Sequence, residues 1–166
     1  MKNIEIEKKF LVDHKKWQLV PKGTGILFDQ GYLSIDKDKV VRVRAAGNKG
    51  YITVKGASES MVRPEYEYVI PYSDAIELIC NFSIGRVKKL RYNVEFGGRR
   101  WEVDEFQGDN FGLILAEIEL ENSDCVIDYP DWILHEVTGD QRYYNSYLSH
   151  YPFNAWSCPI PYNEKP

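Results

Sequence analysis

The charges of this chain alternate with apolar residues at period two, and within each stretch they keep one sign. Arg42 and Arg44 interleave with Val41 and Val43, Lys89 and Arg91 with Leu90 and Tyr92, and Lys55 follows Val54. Elsewhere the alternating charges are acidic: Glu5 and Glu7, Glu102 and Asp104, and Glu117, Glu119 and Glu121. Successive side chains of a strand point to opposite faces, so each segment reads as a strand with one apolar and one charged face. A face merely left to water tends to intersperse its signs. Like charges on consecutive same-face positions repel unless a ligand or an opposing strand neutralises them. A one-sided sheet with a solvated charged face stays open at this point. The sorted signs favour the other reading, with the apolar side outward under helices and the charges inside.

Period-two segments cover 3–12, 30–36, 38–46, 50–56, 62–71, 86–96, 99–106 and 112–122. About eight strands are enough to close a barrel. Gly47-Asn48-Lys49-Gly50 and Gly97-Gly98 read as hairpin turns, so neighbours run antiparallel. A short helical turn carries Trp17 and Leu19. Ser73 is a candidate N-cap for a helix over 74–84 that ends at Gly85. Asp131 reads as the start of another short helical stretch, and Asp140 as the cap of a final helix over 141–150. The fold expected is mainly β (α+β): an eight-stranded antiparallel closed β-barrel tunnel with a few flanking helices. At 166 residues the chain is expected to form a single domain, 1–166, with a core over 3–150 and a Pro-rich tail packed by Phe153 and Trp156.

Composition excludes several classes. With 21 Lys+Arg against 25 Asp+Glu the net charge is −4, which argues against a nucleic-acid binder by bulk charge. No apolar run is long enough for a membrane helix, and the first residues lack a signal-peptide core. Cys80, Cys125 and Cys158 have no zinc or disulfide spacing, which points to a reducing, cytoplasmic setting.

The sorted charges carry the chemistry. Cationic strands facing a cleft suit a polyanion, because Arg offers forked donors to phosphate oxygens and Lys a point charge. Clustered carboxylates suit hard divalent cations, Mg²⁺ or Mn²⁺. A site holding both suits phosphoryl chemistry. No GxxxxGK[ST] loop, GxGxxG turn or Ser-His-Asp set is present.

In chain order the segments resemble those of the CYTH, or triphosphate tunnel metalloenzyme, superfamily. Glu5-Ile6-Glu7-Lys8-Lys9 resembles its ExExK signature, Gln30-Gly31-Tyr32-Leu33 its QGYL strand, Arg42-Val43-Arg44 its RxR and Thr53-Val54-Lys55 its TxK. Arg63-Pro64-Glu65-Tyr66-Glu67 resembles RxExE, Lys88 to Tyr92 the basic strand, Trp101-Glu102-Val103-Asp104 WEVD, and Glu117-Ile118-Glu119-Leu120-Glu121 the closing ExExE. Glu136-Val137-Thr138 with Arg142-Tyr143 resembles the segment before the last helix. The resemblance spans residue 5 to about 148.

It implies a tunnel holding a triphosphate and two divalent ions, Mg²⁺ or Mn²⁺. Metal ligands would be Glu5, Glu7, Asp104, Glu117 and Glu119. Lys9, Arg42, Arg44, Lys55, Lys89 and Arg91 would grip phosphate oxygens. Glu5, Glu7 and Lys9 would be catalytic, the carboxylates orienting the attacking water. Arg63, Glu65, Glu67, Glu102, Glu121 and Arg142 would form a supporting shell. The expected activity is metal-dependent hydrolysis of inorganic triphosphate. The resemblance also admits a class IV-type adenylate cyclase and a thiamine or nucleoside triphosphatase. The expected partner is a small triphosphate, without nucleic acid or membrane; a homodimer stays open.

Overall fold

The computed structural model describes residues 6–36, 38–56, 64–122 and 125–157. Nine strands form one antiparallel sheet: β1 (Ile6–Val12), β2 (Ile26–Ile35), β3 (Lys39–Ala46), β4 (Lys49–Gly56), β5 (Glu65–Ile70), β6 (Gly85–Phe96), β7 (Arg99–Phe106), β8 (Ile114–Leu120) and β9 (Ile133–Glu136). Their order is β5-β4-β3-β2-β6-β7-β8-β1-β9. The expected closed eight-stranded barrel is therefore corrected to an open nine-stranded sheet. The two edges, β5 and β9, share no ladder. A barrel closes only when its edge strands pair along a common stagger. Here β9 is four residues long and lies against β1, with a register irregularity between Phe10 and Val12. It occupies the stretch after Asp131 that reads as helical in sequence.

The hairpins follow their turn chemistry. Gly97 and Gly98, at φ 60° and 70°, form the two-residue link between β6 and β7, a backbone that only glycine adopts without strain. Residues 47 and 48 join β3 to β4 in the same way, with Gly47 at φ 59°.

Three apolar clusters fix the sheet. Phe10, Val12, Trp101, Val103, Ala116 and Ile118 line one face of β1, β7 and β8, covered by Trp17 of α1 (His14–Leu19) and by Trp132. Val43 and Ala45 of β3 lie under Ala75 and Ile79 of α2 (Tyr72–Phe82). This helix starts two residues earlier than its sequence cap suggests: Ser73 donates to the Asp74 carboxylate and does not cap the backbone. The third cluster lies on the opposite, concave side. Leu11, Val87, Phe106 and Leu115 share the face of Lys9, Lys89, Asp104 and Glu117, and are capped by Tyr143 and Leu148. Tyr143 belongs to a short 3-10 turn, and Leu148 ends α3 (Asn145–Leu148), in place of the single longer helix expected over 141–150. Phe153 and Trp156 pack on this cluster, Trp156 edge-on to Tyr143 at 5.4 Å. Among the described residues no helix is long and apolar enough to cross a membrane.

Candidate functional site

The concave face changes character along each strand. Its inner end is the apolar plug just described. One or two same-face positions further, it becomes charged, at Lys9 and Glu7 on β1, Lys89 and Arg91 on β6, Asp104 and Glu102 on β7, and Glu117 and Glu119 on β8. Of these, Glu7, Lys9, Lys89, Arg91 and Glu117 line, together with residues of β2 to β5, a cavity of about 710 Å³. Lys9, Arg42, Arg44, Lys55, Lys89 and Arg91 all line it, so the structure brings together all six cations expected to face phosphate.

The cations fall into two groups. In the first, Lys89 Nζ donates to Asp104 Oδ2 at 2.5 Å, and both side chains are almost fully buried. Arg91 forks onto the same carboxylate, Nε to Oδ1 and Nη2 to Oδ2, both at 2.6 Å. It also donates to Glu102, and to Glu117 at 2.8 Å. Lys9 Nζ donates to Glu117 Oε1 at 2.5 Å and lies 3.3 Å from Glu7 Oε1. Glu102 and Glu117 stand directly opposite each other in the β7–β8 ladder, a repulsive juxtaposition that Arg91 bridges. Burial alone would raise the Glu117 carboxyl; Lys9, Lys89 and Arg91 outweigh it and hold the group down, to about 2. Burial also pulls the Lys89 ammonium down, against Asp104.

The second group sits on β3 and β4, with carboxylates from the edge strand β5. Arg44 Nη2 donates to both oxygens of Glu67, at 3.1 and 3.3 Å. Arg42 Nη2 donates to Thr53 Oγ1 at 3.2 Å, and Thr53 in turn donates to Glu67 at 2.8 Å. Lys55 pairs with Glu65 at 2.7 Å. The Nε atoms of Arg42 and Arg44 are buried with no hydrogen-bond partner among the described residues. Phe28 joins the two groups: the guanidinium carbons of Arg44 and Arg91 lie 5.3 and 5.2 Å from its ring centre.

A second cavity of about 370 Å³ adjoins the first and shares Glu7 and Glu117 with it. Glu102, Glu119 and Glu121 complete an acidic lining, with Arg99 and Arg100 at its margin. Glu7 and Glu119 are directly opposite in the β1–β8 ladder. Partial burial and the Glu117 charge push the Glu7 carboxyl up. These all-oxygen donors suit a hard divalent cation by chemistry. Among the described residues, no three acidic, His or Cys side chains close on one metal-sized point. Glu5, expected beside Glu7, lies outside the described residues, as does Arg63.

Two expected positions belong elsewhere. Asp104, grouped in sequence with the metal ligands, is wholly buried with its oxygens taken by Lys89 and Arg91. Arg142 is exposed, paired with Asp140 at 2.6 Å, and lines neither cavity. Its neighbours do reach the site: Thr138, Asn145 and Ser146 line the larger cavity. Phe28, Gln30, Tyr32 and Thr53 are further site residues that charge patterning passes over. The signal was their parity, since Phe28, Gln30 and Tyr32 stand opposite Ala46, Arg44 and Arg42. Burial raises the Tyr32 hydroxyl to about 12, so it remains a donor.

Fold and site define an antiparallel β protein whose concave face pairs a polycationic cavity with an acidic mouth. The CYTH domain family matches residues 3–145, and the chain belongs to that family. An inorganic triphosphatase of Acetivibrio thermocellus is 50% identical over 152 residues, covering 90% of this chain and 95% of that protein. The crystal structure of another inorganic triphosphatase superposes with a TM-score of 0.67 at 32% identity, over 87% of this chain and 93% of that one. A Hippeastrum protein, proposed as an adenylyl cyclase and found to have a dominant triphosphatase activity, shares the fold at 15% identity and TM-score 0.53, over 71% of this chain and 80% of that one.

Proposed function

We propose that this chain hydrolyses inorganic triphosphate in a reaction that requires a divalent cation, Mg²⁺ or Mn²⁺. The observation that carries the reading is the convergence of six cationic side chains on one cavity that shares Glu7 and Glu117 with an acidic one. A linear triphosphate carries charge on every phosphoryl group, and six cations on four strands match a chain of charges better than a single phosphate.

In this reading Arg42, Arg44 and Lys55 bind the outer phosphoryl oxygens, the two guanidinium groups through their outer arms. Lys9, Lys89 and Arg91 set a fixed positive field where charge develops on the bridging oxygen. They need little rearrangement, because Asp104, Glu102 and Glu117 already orient them. Glu7 and Glu119, with Glu5, would hold the metal, beside Glu117, whose oxygens are engaged by Lys9 and Arg91. A divalent cation, when bound, supplies Lewis-acid polarisation of the phosphoryl group. Glu7, half-exposed at the junction of the cavities, orients the attacking water. The whole chain, 1–166, is read as one catalytic unit, with Tyr143, Leu148, Phe153 and Trp156 covering its inner end.

The test is a substrate panel of inorganic triphosphate, ATP and thiamine triphosphate with each metal, reading both phosphate and cyclic AMP. Inorganic triphosphate should be turned over fastest and yield phosphate plus pyrophosphate. Cyclic AMP from ATP, or no turnover of inorganic triphosphate, would overturn the reading.

A further inference from the structure

Glu65 and Glu67 contact the cations of the outer group from a strand unlike any other in the site. Among the described residues β5 is a sheet edge and has one neighbouring strand, β4. Its carboxylates remain accessible, with side chains 38% and 34% exposed, whereas the Asp104 side chain is 0% exposed. Glu67 also does not orient its cations as Asp104 does. It reaches Arg44 through Nη2 alone, approaches Arg42 no closer than 3.6 Å, and leaves both Nε donors unpaired. A carboxylate placed to fix a guanidinium takes it in a fork, as Asp104 takes Arg91. Glu67 instead offers two oxygens to the outer arms, the atoms an incoming phosphoryl group would engage.

We propose that Glu65 and Glu67 are internal competitor anions. Resting on the triphosphatase reading, the proposal makes them residues that weaken anion binding at Arg42, Arg44 and Lys55 and so speed release of the pyrophosphate product. Any anion entering the outer group must displace them, a fixed cost independent of its length. A triphosphate that also reaches Lys9, Lys89 and Arg91 recovers that cost; a shorter product held by the outer group alone does not. Supporting carboxylates predict the opposite sign, since removing them would loosen the cations and weaken binding.

The discriminating variant is Glu67→Gln, whose amide oxygen can still accept from Thr53. Calorimetric titration of the variant with pyrophosphate should show binding about tenfold tighter than in the wild-type chain, as expected when one competing charge is lost. Steady-state kinetics with triphosphate should show KM and kcat both lowered, with stronger pyrophosphate inhibition. Glu67→Asp, which keeps the charge, should tighten pyrophosphate binding less than Glu67→Gln does, and Glu65→Gln gives an independent reading at Lys55. Unchanged or weaker pyrophosphate binding in both Gln variants would overturn the proposal. If pyrophosphate binding tightens as expected while the wild-type chain fails to hydrolyse triphosphate, the competitor role stands and the triphosphatase reading falls.

Discussion

Lys89 and Arg91 on β6, and Arg42 and Arg44 on β3, present the same charge to the same cavity, yet their counter-ions differ in depth and geometry. Asp104 is sealed between β6 and β8 and takes Arg91 in a fork at 2.6 Å. Glu67 sits on an edge strand and takes Arg44 by one nitrogen at 3.1 Å or more. A sealed ion pair cannot be exchanged with solvent ligands without exposing a buried charge, so it acts as scaffold and as a fixed field. An accessible one can be exchanged, so it suits a binding surface. Half of the cavity is thus preorganised and half is adaptable.

The largest effect should come from breaking the sealed half. Asp104→Asn leaves Lys89 and Arg91 buried against a neutral amide, and loss of one partner from such a pair costs about 3–5 kcal/mol of stability. Urea unfolding should register that loss, and a change below about 1 kcal/mol would mean that the two halves do not differ as described. Next is the acidic mouth. Glu119→Gln should lower metal-dependent turnover by about 100-fold while leaving the urea midpoint unchanged, because Glu119 is exposed. Chelation of divalent metal should abolish turnover in the same assay, and activity surviving chelator would remove metal from the reaction. In the adaptable half, Arg44→Ala should mainly weaken triphosphate binding, by about 1.5–3 kcal/mol for a charge-assisted bond. It should move stability little. A large stability loss in that variant would erase the distinction between the halves.

The strands and the sidedness of their charges were legible because period-two patterning reports directly on which face is buried. Glu7, Lys9, Arg42, Arg44, Lys55, Lys89, Arg91, Glu102, Glu117, Glu119 and Glu121 all line the two joined cavities. Closure was not legible. Parity says which face a residue takes, not whether the first and last strands meet, and β9 offers only four residues with no charge alternation to mark them. The role of Asp104 was hidden for a related reason. It has the same parity as Glu102, but it lies one pair deeper, opposite Arg91, where the concave face passes from water to the plug. Phe28 was missed because β2 begins at Ile26, four positions before the alternation around Gln30 becomes visible.

The smallest effect tests the seam between the halves and the mouth, where Glu7 and Glu117 are neighbours with opposite pKa displacements. Glu117 is held below its ordinary value of 4.5, at about 2, by Lys9, Lys89 and Arg91. Its ionised form therefore stabilises the fold above about 4.5, and that contribution is lost as pH falls from there toward 2. Glu7 is raised by partial burial and by Glu117, so its ionised form opposes folding above its folded value. Protonating it relieves that opposition, and stability rises as pH falls through its folded value toward 4.5. Thermal melts should accordingly hold or rise slightly on acidification to about 4.5 and then decline. Glu7→Gln should remove the rise and keep the decline, while Glu117→Gln should remove the decline and cost stability at neutral pH by freeing Lys9 and Arg91. Parallel melting profiles for wild type and Glu7→Gln would show that Glu7 is solvated like an ordinary surface acid in the metal-free chain.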